Sequence, residues 1–98
     1  QAAQPPMKIL RIGTEVVEIL CALRGNISKL VQSDLGCAAA MARACVHCAA
    51  MNVWINAQLL KDQEKANELY QQSKGYLEKA TEGCDRLVEE VEASLWRH

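Results

Sequence analysis

Asp34, Asn52 and Asn56 are the residues of this chain whose types and spacing most invite chemistry. A residue advances about 100° around an α-helix, so all three fall on one stripe of a predicted helix. Cys37, Met41, Cys45, Cys48 and Leu59 share that stripe. A carboxylate can carry a proton, and amides can place a water or a leaving group. Asparagine is also unfavourable in mid-helix, because its side chain competes for backbone hydrogen bonds. Two of them one turn apart on an otherwise apolar stripe need partners. Two readings stand: a clamp whose amides hold a neighbouring loop, and the lining of a polar pocket. Asp34 and Asn52 are 18 residues apart, about 27 Å along one helix. They cannot serve one small site on the same helix, so one of them must meet a neighbouring segment or subunit. The expectation is that Asn52 clamps the segment from Gly25 to Asp34 and that Asp34 faces a pocket.

Cysteines are the other reactive group. The chain has five, an odd number without the spacing of a disulfide framework. Cys45 and Cys48 flank His47 and invite a metal reading. His47 falls on the opposite stripe of the helix, however, and a structural zinc site wants a fourth ligand and a turn between paired cysteines. No metal site is expected. Cys45 as a nucleophile lacks a histidine on its own face to activate it. Free thiols acting as small hydrophobes in a reducing, cytoplasmic setting account better for all five.

These residues depend on the stretch from Ser33 to Lys61, which has no proline and is mostly small or apolar. It predicts one long helix buried on most of its circumference, with Ser33 as N-cap and Asp34 in the first turn. Before it, Pro5 and Pro6 suit a helix start, and the pattern is helical to Leu23. Gly13 within that helix marks a close helix crossing. Gly25 and Asn26 end it, since both tolerate the left-handed conformation of a C-cap. Asp62 breaks the chain after Lys61, and a third helix follows. Its positions Ala66, Tyr70, Ser73, Leu77, Ala80, Cys84, Leu87, Val91 and Ser94 alternate steps of four and three. That is the heptad seam of a left-handed helix pair. The expectation is an all-α bundle of three helices, Pro6–Leu23, Ser33–Leu60 and Gln63–Leu95.

At 98 residues the chain is one small unit, and its net charge of −1 makes no electrostatic case for nucleic acid or an anionic membrane. No spanning segment is expected, because Arg43 and His47 interrupt the richest apolar run. No signal-peptide pattern is present. The chain opens on Gln1 rather than Met, which suggests upstream sequence. A helix apolar nearly all round also needs more protein than two neighbours supply. Either the chain oligomerises, as a dimer for instance, or an upstream half completes the bundle.

Gly25-Asn26, Ser33-Asp34, the alanine-rich helix ending Asn52-Val53-Trp54-Ile55-Asn56, and Lys61-Asp62 resemble motifs of one family. This is the cyclodeaminase/cyclohydrolase family of folate enzymes, with the cyclodeaminase domain of formiminotransferase-cyclodeaminase and methenyltetrahydrofolate cyclohydrolases among its members. The resemblance runs from Pro6 to Leu95. There are two departures from the family pattern. The segment from Ile27 to Gln32 is longer than its counterpart, and the proline- and glycine-rich turn (P-x-P-G-G-G-S) of the family's N-terminal half is absent. Residues 1–98 therefore look like the C-terminal half of such a domain.

The resemblance implies an all-helical, usually dimeric enzyme whose substrate is a tetrahydrofolate derivative, with no covalently bound cofactor. Formimino-folate would lose ammonia to give methenyl-folate, or water would open methenyl-folate to formyl-folate. Asp34 is then the candidate catalytic carboxylate. Asn26, Ser33, Asn52 and Asn56 are the candidates for positioning loop or substrate. The competing reading is a helical interaction or structural protein that keeps the fold without catalysis, favoured by the missing glycine-rich turn.

Overall fold

A computed structural model describes residues 2–23 and 29–96, with the side chains of 29 and 30 excepted. It contains helices α1 (Gln4–Leu23), α2 (Lys29–Ala57) and α3 (Gln63–Trp96), and no strand among the described residues. The all-α three-helix expectation holds. Contacts fix an up-down-up order. Along α1 and α3 the partners rise together, from Thr14 beside Tyr76 to Cys21 beside Gly83. Along α2 and α3 they run oppositely, from Trp54 on Ser73 to Arg43 on Asp85. The bundle is a rod 56 Å long and 17 by 16 Å across.

The α3 seam forms as its spacing predicts. Ser73, Leu77, Ala80, Cys84, Leu87 and Val91 are all buried. Leu69 takes the buried place that the pattern assigns to Tyr70, whose ring is exposed beside Trp54. Ala66 and Ser94, at the two ends of the seam, are half-buried, since the rod has fewer neighbours there. Asp62 does more than break the chain. Its carboxylate accepts the backbone N–H of Lys65 at 3.1 Å and so caps α3. Gly13 is a close crossing, as expected: a Cβ there would lie 2.6 Å from Val46 Cγ1.

Two expectations for α2 are corrected. It begins at Lys29 rather than at a Ser33 cap, because the turn from Lys29 to Gln32 joins it without a break. It ends at Ala57, with Leu59 and Leu60 in the turn that follows. Nor is α2 buried on most of its circumference. Its buried side is Leu35, Ala39, Val46, Ala49, Ala50, Val53 and Ala57. The stripe of Cys37, Met41, Cys45, Cys48 and Leu59 faces outward, with Met41 69% exposed. Two neighbouring helices cover only part of a third, and the described residues supply no fourth element. By length and composition Val31–Ala57 is apolar enough to cross a bilayer, contrary to the expectation from Arg43 and His47. The small apolar residues outweigh that interruption, and core helices of bundles meet the same criterion.

The outer face of α1 is also apolar and open: Ile9, Ile12, Val16 and Ile19 are exposed, while Met7, Leu10, Thr14 and Val17 pack inward.

Candidate functional site

The two asparagines sit near the C-terminal end of α2, where the start of α1 comes alongside. Pro5, Pro6 and Ile9 of α1, with Cys45, Cys48 and Ala49 of α2, form an open groove of about 490 Å³. Asn52 and Asn56 line it. Each amide donates back to its own helix, Asn52 Nδ2 to the Cys48 carbonyl at 2.9 Å and Asn56 Nδ2 to the Asn52 carbonyl at 2.8 Å. These bonds answer the mid-helix penalty locally. The clamp expectation for Asn52 is thereby corrected: the amide holds its own helix and borders a groove. Each amide keeps a second N–H and its carbonyl oxygen. The groove therefore has apolar walls and an amide floor that can hold a polar ring edge or a water.

The carboxylate is elsewhere. Asp34 is exposed near the start of α2, at the end of the rod that also holds the last turns of α1 and α3. Ser33 is beside it, exposed and inside the helix rather than capping it. No carboxylate lines the groove. The structure thus brings Asn52 and Asn56 together and separates both from Ser33 and Asp34. Asn26 lies outside the described residues.

On the far side of α2 the side chains are tied down. Trp54 Nε1 donates to Ser73 Oγ at 2.8 Å, and that hydroxyl donates to the Tyr70 carbonyl at 2.9 Å. The Trp54 and Tyr70 ring centroids are 5.8 Å apart and tilted, and Lys74 Nζ stands 5.8 Å from the indole centroid. This cluster fixes α2 against α3. The sequence showed Trp54 inside the Asn52–Asn56 motif but had no way to show that its partner is a serine of the next helix.

The thiols divide by position. Cys37, Cys45 and Cys48 are exposed on the outward stripe, and Cys84 is buried between the helices. Burial pushes the Cys84 thiol above its ordinary value, and nearby Cys21 and Asp85 add to the rise. Cys21 Sγ lies 3.6 Å from the Gly83 carbonyl, as a weak donor. Among the described residues no three His, Cys, Asp or Glu side chains gather to hold a metal ion.

Comparison with known proteins agrees with the motifs. A family model described as formiminotransferase-cyclodeaminase matches residues 1–75. A methenyltetrahydrofolate cyclohydrolase from Methylorubrum extorquens is 32% identical over 96 residues, covering 96% of this chain. The chain spans 45% of that relative's length. No solved structure matches the chain. The family model covers well over half of the residues, and the chain belongs to the formiminotransferase-cyclodeaminase family.

Proposed function

We propose that the chain is the C-terminal half of a folate one-carbon domain that adds or removes water or ammonia at an amidine carbon of tetrahydrofolate. The observation that carries this reading is the groove floored by Asn52 and Asn56. Those residues belong to the motif by which the chain resembles the family. The family's chemistry asks for groups that orient a polar ring and a water, and paired amides between apolar walls suit that task. Asp34 is the proposed proton carrier, with Ser33 and Asn26 supporting its segment. The open apolar side of α2 would be covered by an upstream half or a second copy. Five free cysteines suit a reducing, cytoplasmic setting.

The test is turnover. The chain, alone and mixed with an upstream half from a relative, is incubated with methenyltetrahydrofolate while the methenyl absorbance is followed. Formimino-tetrahydrofolate is tested for ammonia release in parallel. Turnover above the uncatalysed rate supports the reading, and the substrate consumed tells cyclohydrolase from cyclodeaminase. Folate binding without turnover favours the alternative of a non-catalytic helical protein. That alternative draws its support from the absence of a carboxylate in the groove.

A further inference from the structure

Where the end of α2 turns into the start of α3, the rod holds a second pocket of about 380 Å³. It shares no residue with the groove of Asn52 and Asn56. Trp54 and Tyr70 line it, and Ala57 and Ala66 leave it open because neither side chain reaches beyond Cβ. The indole is already held in place. Its Nε1–H is committed to Ser73 Oγ at 2.8 Å, and Ser73 donates in turn to the Tyr70 carbonyl. A ring that lands on Trp54 therefore has little side-chain ordering to offset. Gln58, Gln63 and Asn67 complete the lining, and all three are exposed. Among the described residues no hydrogen bond engages their side chains, so their amides have both donors and acceptors to offer. No charged side chain lines the pocket. It opens among polar residues, unlike the bare apolar faces of α1 and α2, and so it faces solvent rather than a surface that calls for more protein.

We propose that this pocket binds a planar fused heterocycle with an uncharged amide edge, of the purine or pteridine kind, stacked on Trp54 and hydrogen-bonded through that edge to Gln63 and Asn67. Any such ring has a π-face that an indole can hold. An amide side chain matches a ring edge that sets a donor beside an acceptor, as Asn and Gln do on adenine. The volume falls within the range of about 300–1,000 Å³ of small-ligand sites. A hydrocarbon ring would leave the three amides against apolar surface. Sugars also stack on aromatic rings, but their hydroxyls are donors best met by carboxylates, and none lines this pocket. Lys74 Nζ stands 5.8 Å from the indole centroid and makes no ion pair among the described residues, so an anionic substituent on the ring has a partner there. The inference does not rest on the folate reading, which concerns the groove on the other side of α2.

Calorimetry on the full chain tests it, with guanosine monophosphate and pterin-6-carboxylate as the two compounds. Saturable binding of at least one is expected, and the tighter of the two tells a purine site from a pteridine site. Ala66→Leu fills the pocket and is expected to abolish binding while keeping the helical circular dichroism of the parent, since leucine suits a half-buried seam position. Binding at the groove of Asn52 and Asn56 would persist in that variant. Asn67→Ala removes one edge partner from an exposed position and is expected to weaken binding about tenfold. Should Ala66→Leu lose its fold, Asn67→Ala decides alone. Binding of neither compound, undiminished binding in a folded Ala66→Leu or an unchanged affinity in Asn67→Ala overturns the inference. Preference for maltose over both compounds overturns it as well. Folate turnover enters none of these outcomes, so failure of either reading leaves the other standing.

Discussion

A methyl group on Gly13 would lie 2.6 Å from Cγ1 of Val46, closer than real side chains approach. Val46 is fully buried and β-branched, so it has little freedom to move aside. This contact sets how near α1 and α2 can come. Gly13→Ala is therefore expected to destabilise the bundle. Overpacking costs about 1–3 kcal/mol, and better helix propensity offsets about 1 kcal/mol of that. Gly75 in α3 is the internal control, because nothing lies within 4 Å of a Cβ placed there. Gly75→Ala should gain about 1 kcal/mol from propensity alone. Thermal melts of the two variants should move in opposite directions.

Ser73 is buried and serves two groups at once, accepting from Trp54 Nε1 and donating to the Tyr70 carbonyl. Ser73→Ala would leave the indole N–H without its partner in a half-buried position. The loss is expected to be about 1–3 kcal/mol. It should be read by denaturant titration and by a change in Trp54 emission in a Trp96→Phe background. An unchanged transition midpoint would show that water replaces the hydroxyl freely.

Asn52→Leu separates stability from binding. The amide's bond returns to its own helix at Cys48, and the residue is exposed. Leucine is the better helix former, so the melting midpoint should stay within the ±0.5 kcal/mol range of ordinary surface changes. Folate affinity, measured by calorimetry on the same variant, should fall. A large loss of stability would show instead that the bond from Asn52 to the Cys48 carbonyl matters to the fold.

The raised pKa of Cys84 links stability to pH. A folded thiol held above its ordinary value of 9.0 contributes stability that is present below that pH and is lost as pH rises through the folded pKa. The bundle should therefore weaken as solutions become more alkaline than 9.0. Cys84→Ala should show less of that loss, after its own packing cost is subtracted. In alkylation experiments at neutral pH, Cys37, Cys45 and Cys48 should react first and Cys84 last, in line with their exposure.

The sequence by itself determined the helices and the family. Four-three spacing along α3 marked its seam from Ser73 to Val91, since that period keeps one face on a partner, but it assigned to Tyr70 the place that Leu69 takes. Gly13 announced a crossing because glycine in mid-helix is otherwise unfavourable. The Asn52–Asn56 and Ser33–Asp34 motifs carried the family resemblance, and the family match followed. Sequence alone did not show which side of α2 packs inward. Alanine occurs on every side of that helix, and the cysteines and methionine of one side are as apolar as the valines of the other, so its apolar pattern has no preferred direction. Tertiary packing supplied the direction. Val46 meets Gly13, Gly36 lies against Val91, and Trp54 reaches Ser73. Those contacts turn Leu35, Ala39, Val46 and Val53 inward and leave Met41, Cys45 and Asn52 outside. Sequence spacing placed Asp34 and Asn52 on one stripe, and the structure decided that this stripe faces out. A buried face is chosen by its neighbours, and an evenly apolar helix takes whichever orientation gives them the closest fit.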